Sequence, residues 1–198
     1  MNFNDAFQKW LENAPMIIIS VTTAVFGFIT ANRWRAEHFG KRKAALAEEV
    51  LLAALEFEDA MRAIRSPFLI SEETTDVTCN TPDSARRVTI YLLKRHQSKA
   101  EQFLHLKKKL PACSVYFDDE TERLLKSLIQ LENDIAALRT TMHHSAKKFL
   151  GSPNDINREQ FLDSMNRYLE TDSGDELMLK ASSSIKELRT KLVQYIAE

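Results

Sequence analysis

The residues able to do chemistry in this 198-residue chain are few, and their spacing suits none of the common reactions. Its soft and imidazole ligands are five histidines and two cysteines. His143 and His144 are adjacent. On a helix such neighbours point about 100° apart and do not chelate one ion. His144 shares a face with Lys148, whose charge opposes a metal there. His96 and His105 are out of helical register with each other, and no Glu-x-x-His pair of the kind that builds di-iron bundles occurs. The expectation is no metal and no cofactor, with His96 a packed or rim histidine. Cys79 and Cys113 stand in no C-x-x-C and have no base placed beside them by sequence. Both read as incidental, reduced thiols. No G-x-x-x-x-G-K-[ST], G-x-G-x-x-G, G-x-S-x-G or H-E-x-x-H is present, and four glycines leave little material for a phosphate cradle. The reading is therefore non-enzymatic, with an unfamiliar all-helical catalytic site as an alternative.

Charge is balanced overall, 27 basic against 28 acidic residues, which excludes a globally basic nucleic-acid binder. It is not balanced locally. Arg86, Arg87, Lys94, Arg95, Lys99, Lys107, Lys108 and Lys109 face only Glu101 in their stretch, whereas residues 154–178 are strongly acidic. One expectation is that the two stretches neutralise each other. The other is that Arg86, Arg87, Lys107, Lys108 and Lys109 contact an anionic surface, lipid headgroups before nucleic acid. Tyr91 and Phe103, the aromatics of the basic stretch, are too far apart to stack bases side by side, so nucleic acid is disfavoured.

The elements that must carry these residues are helical. Four Gly and five Pro are too few for a β-rich chain of this length. Ala47, Val50, Ala54, Phe57, Met61 and Ile64 alternate at +3 and +4 and predict a helix from about Ala36, ending at Ser66-Pro67. Residues 66–81 read as a loop. Thr81-Pro82-Asp83 reads as a cap, a first-turn proline and an early acid, opening a helix that stops at Pro111. Val88, Leu92, Leu93, Ala100, Phe103, Leu104 and Leu110 are its apolar positions. Asp118, Asp119 and Glu120 open a third helix whose seam is Leu124, Leu128, Leu131, Ile135, Leu138, Met142, Ser145 and Phe149, with Gly151 expected just past its end. A shorter helix over about 156–170 and a last one over about 175–196 follow, the latter burying Leu177, Ala181, Ile185, Leu188, Leu192 and Tyr195 or Ile196.

The first third of the chain is different. Ala14 to Ala31 reads APMIIISVTTAVFGFITA, without a charge. A bilayer core of roughly 30 Å needs about 20 such residues. Trp10 and Trp34 bracket the run about 36 Å apart along a helix, a spacing that fits two interfacial belts. Pro15 suits a helical first turn, and Arg33 and Arg35 can snorkel to phosphate level. One basic residue, Lys9, precedes the run, and Arg33, Arg35, Lys41, Arg42 and Lys43 follow it. That bias places the N-terminus outside and the bulk of the chain in the cytoplasm, and it argues for an anchor rather than a cleaved signal. Ser20, Ala24, Gly27 and Ala31 recur at small-residue spacing, which lets two spans approach.

The sequence thus predicts an all-α chain. Residues 1–13 form a short extracytoplasmic tail, 14–32 a single transmembrane helix, and 33–198 a cytoplasmic antiparallel bundle of about four main helices. The expected partners are membrane lipid and a protein partner or a second copy of the chain. The expected role is a membrane-tethered interaction, scaffold or sensor module at the cell membrane (the inner membrane in a bacterium). A membrane-perturbing effector acting through oligomerisation of its span is the rival.

Overall fold

The computed structural model describes residues 3–66, 80–169 and 175–197, with side chains from Ala14 onward except Ile17. The predicted loop after Pro67, with Cys79, lies outside the described residues, as do Glu170 and the acidic residue Asp172. Helices are the only regular elements among the described residues: α1 (Phe3–Arg65), α2 (Pro82–Ser98), α3 (Ala100–Tyr116), α4 (Asp119–Gly151), α5 (Asp155–Leu169) and α6 (Glu176–Ala197).

α1 is one helix of 63 residues. At 1.5 Å per residue it is about 95 Å long. α1 runs through Gly40 without interruption, and Pro15 lies inside the helix rather than in its first turn. Its apolar window from Ala14 is long and apolar enough to cross a membrane, and none of it is buried within the chain. The second half of the same helix is buried along one seam. Ala47, Val50, Ala54, Phe57, Met61 and Ile64 are all in the core, joined by Ala53 and Ala60.

Pairs of contacts fix how the helices pass one another. Phe39 stacks on Tyr116 with centroids 5.0 Å apart, Lys109 meets Glu49 at 2.6 Å, and Phe57 packs edge-on to Phe103 at 5.3 Å, so α3 descends along α1. Asp175 lies 2.9 Å from Arg65, Ser182 donates to Glu58 at 2.7 Å, and Lys43 sits over Tyr195 at 3.8 Å, so α6 also descends along α1. α4 climbs between them, meeting α6 through Ser127 and Ser184 and α3 through Lys107 and Glu132.

Two sequence expectations about this region need correction. The helix that begins at Pro82 does not run to Leu110. The Ser98 hydroxyl donates to the Arg95 carbonyl, the acceptor that Lys99 N–H would use in an unbroken helix. Lys99 N–H turns to His96 O instead, and α2 ends. Nor does Pro111 end anything. α3 continues through it to Tyr116, although an interior proline costs about 3 kcal/mol. The compensation is tertiary: Cys113 is fully buried and Phe117 packs on Tyr195 at 5.1 Å. Ala100 and Leu104, expected inside, are exposed, and Leu106 takes the buried position.

The caps agree better. Thr81 and Ser84 form a reciprocal capping box. Asp118 accepts from Thr121 N–H and Asp175 from Met178 N–H, both at 2.8 Å. Gly151 is the last residue of α4 rather than a left-handed cap beyond it. Ser152, at φ −144° and ψ 84°, closes the helix with its N–H on Lys148 O. The α4 seam is buried as expected at Leu124, Leu128, Leu131, Ile135, Met142 and Phe149, with Leu138 packed at its edge and Ala146 in place of Ser145.

Candidate functional site

Where the apolar half of α1 meets the helical domain, aromatic and basic side chains collect. Trp34 stacks on His38 with centroids 5.3 Å apart, one helical turn along. Tyr116, delivered by the far end of α3, lies between Phe39 and Arg42, whose guanidinium sits 5.9 Å over its ring. These residues and Arg35 surround a shallow groove of about 530 Å³. Trp34 is 63 % exposed and Val115 70 % exposed, so the collar presents apolar surface without covering it. Arg33 belongs to the same exposed turns, where Glu37 is engaged by Lys41 at 2.7 Å and held below its ordinary range by that hydrogen bond. Trp10 lies on α1, but its side chain is outside the described residues.

Ser20, Ala24, Gly27 and Ala31 are exposed on the apolar half of α1. Ser20, Thr22 and Thr23 turn their hydroxyls back onto carbonyls four residues earlier, so these three are satisfied within the helix.

The basic stretch is not one patch. Arg95 is buried, and its guanidinium donates to the carbonyls of Ala63 and Ser66, closing the end of α1. Lys107 pairs with Glu132 and Lys109 with Glu49. The acids paired with Lys107 and Lys109 come from α4 and α1. Within the acidic segment 154–178, Asp175 pairs with Arg65, Asp163 with Arg167 and Glu176 with Lys180. Arg86, Arg87 and Lys108 are exposed and form no ion pair among the described residues. Arg86 precedes Tyr116 by 30 residues along α2 and α3. That path is at most roughly 45 Å, and α2 meets α1 at Ala63, well past Arg42 along that helix, so Arg86 and Arg87 stand away from the collar.

A second polar cluster lies inside, and sequence reasoning undervalued it. His96 is 5 % exposed, and its Nδ1 is 3.2 Å from the Tyr168 hydroxyl. Burial, reinforced by the Arg139 charge, pushes the imidazole down to about 4, so it is neutral at pH 7. Burial pushes Tyr168 up to about 12. The nine-residue gap between His96 and His105 gave no hint of this, because the partner comes from α5, in a distant part of the sequence. Cys113 is also inert, its thiol pushed up to about 12 by burial. Among the described residues no group of three His, Cys, Asp or Glu side chains is placed to hold a metal.

No family model, no curated protein and no solved structure matches this chain.

Proposed function

We propose that the chain is a membrane-tethered, non-enzymatic interaction module of the cell membrane. Residues 14–32 span the bilayer, the short N-terminus lies outside, and the helical domain stands in the cytoplasm as an antiparallel bundle on the aromatic and basic collar. The observation that carries this reading is the exposure of α1. Met16, Ile18, Ile19, Val21, Val25, Phe26, Phe28 and Ile29 are all exposed large apolar side chains on a single helix, an arrangement water does not favour. The collar then occupies the headgroup level. Trp34 and Tyr116 suit the interface, and Arg33, Arg35 and Arg42 suit anionic phosphates.

Topology is the test. With Cys79 replaced by Ser, an Asn4→Cys chain should react with a membrane-impermeant thiol reagent in intact cells, and a Lys108→Cys chain only after lysis. Cys113 can stay, because it is buried and silent. Labelling at position 108 in unbroken cells would reverse the orientation, and labelling at both sites would remove the span.

A second reading is favoured by the continuity of α1. At about 100° per residue, the stripe of Ser20, Ala24, Gly27 and Ala31 lies roughly 120° around the helix from the buried seam of Ala47 to Ile64. Two copies can therefore pack span against span with their cytoplasmic domains turned outward. Gly27→Ile should abolish crosslinking between copies in the membrane if this packing occurs.

A further inference from the structure

The break between α2 and α3 opens a groove of about 510 Å³ against α4, and the membrane reading makes no use of it. That volume is in the range of small-ligand sites. Its walls are chemically unequal. Leu93 and Phe103 supply an apolar side. Arg139 enters from α4, half-buried and without an ion pair or hydrogen bond among the described residues. A guanidinium keeps its charge under all physiological conditions and presents a planar fork of donors. Half-buried and without a partner among the described residues, that fork is open to a group from outside the chain. The other charges of the groove, Lys107 and Glu132, neutralise each other. His96 also lines the groove. Its Nδ1 is engaged by Tyr168, and its Nε2 has no protein partner among the described residues. When the Tyr168 hydroxyl donates to Nδ1, Nε2 carries the proton and is a neutral donor.

We propose that this groove binds a small monocarboxylate with an apolar body. The carboxylate sits on the Arg139 fork and accepts from His96 Nε2, and the apolar body lies against Phe103 and Leu93. The charge count selects the anion. Arg139 is the single uncompensated cation, so it matches one negative charge, and the Glu132 carboxylate nearby opposes a phosphate dianion. The fork favours a planar carboxylate that can take two parallel N–H bonds. This proposal is independent of the membrane assignment, since every residue it uses lies in α2, α3, α4 or α5.

The test uses the full chain in nanodiscs of phosphatidylcholine, which carry no net anionic charge, with 4-fluorobenzoate as the probe and fluorine NMR as the readout. Empty nanodiscs give the background. The protein should broaden the probe resonance saturably, and 4-fluorobenzamide, equal in shape but uncharged, should bind on the order of tenfold more weakly or worse. Arg139→Met should weaken 4-fluorobenzoate by a similar factor with an unchanged melting curve, and Arg139→Lys should restore part of it. Inorganic phosphate should not displace the probe. The proposal is overturned if the wild-type chain gives no saturable broadening, if the amide binds as well as the acid, or if a folded Arg139→Met chain binds undiminished. Should Arg139→Met fail to fold, the acid-against-amide comparison on the wild-type chain decides alone.

Discussion

The two halves of α1 are one helix with two patterns of exposure. Before the collar, Phe26, Phe28, Ile29 and their neighbours are exposed on every side. Beyond it, most apolar residues retreat to a seam of mostly small and medium side chains from Ala47 to Ile64, and the other faces carry Glu48, Glu49, Glu56, Asp59 and Arg62 beside the exposed Leu52 and Leu55. Helix propensity differs, β-branched residues filling the first half and Ala, Leu and Glu the second, yet both halves are helical. Pattern separates them: an apolar cylinder wants lipid all round, and an apolar stripe wants other helices. α1 passes Gly40 unbroken, because nothing in the backbone has to change when the exposure pattern does.

The largest expected effect breaks this comparison with one kind of substitution placed twice. Ile135 is fully buried, so Ile135→Asp should unfold the helical domain by stranding a carboxylate in the core, at a cost of several kcal/mol. Val25→Asp places the same group where the chain buries nothing. It should leave the melting of the domain unchanged and weaken membrane insertion by about 2.5–3.5 kcal/mol. Circular dichroism melts beside membrane fractionation read both. If Val25→Asp lowers the melt as far as Ile135→Asp does, the first half of α1 is a core helix and the comparison fails.

The next effect is acid sensitivity of the interior. His96 is pushed down to about 4 in the fold from an ordinary 6.5. The unfolded chain therefore binds that proton first, so the stability that neutral His96 supports is complete above pH 6.5 and is lost as pH falls from 6.5 to 4. The magnitude is on the order of 2–3 kcal/mol. Glu58 and Asp118 are held low by hydrogen bonds from Arg62 and Thr121, so their contributions fade only in more acid solution. Melts between pH 7 and 4 should show a drop in the wild-type chain that His96→Gln flattens. Parallel curves for the two chains would mean that His96 titrates normally.

Much of this fold was legible because it rests on local or periodic signals. The seams of α1, α4 and α6, the Thr81 cap and the charge-free run need only neighbouring residues. What sequence missed needs distant partners. Pro111 signals a stop, yet the contacts of Cys113 and Phe117 override it. The break at Ser98 has neither Gly nor Pro to announce it, only a hydroxyl that takes a helical carbonyl. His96 and Arg139 become one site only when α2, α4 and α5 are assembled. Residues 86–109 looked like one basic surface, but two of the terminal lysines are paired with acids from other helices.

The collar and the basic stretch can be separated in the same way. The described core begins at Ala47, so a chain starting at Arg33 loses none of it. Such a chain should bind anionic vesicles at low salt. Arg35→Gln with Arg42→Gln should weaken that binding by about 2 kcal/mol, at roughly 1 kcal/mol for each basic residue near the surface. Arg86→Gln with Arg87→Gln, on α2 beyond the Ala63 end of α1, should change nothing, because that end lies more than a Debye length from the collar. Co-sedimentation in which the second pair matters as much as the first would move the membrane contact from the collar to α2.

The smallest effects lie in the lysine triplet, and there the order carries the information. Lys107 serves Glu132, whose side chain is only 15 % exposed. Lys107→Gln leaves that carboxylate largely desolvated without its cation and should cost about 1–2 kcal/mol. Lys109 serves Glu49, 58 % exposed, and water replaces it readily. Lys109→Gln should therefore cost about 0.5 kcal/mol or less. Lys108 is exposed and serves no acid among the described residues, so Lys108→Gln should leave the melt where it was. Three identical neighbours would then give three different answers, set by the partner rather than by the lysine. Equal losses would mean that the triplet acts as one patch. A loss at Lys108 alone, together with reduced vesicle binding, would mean that the free lysine is the one the membrane uses.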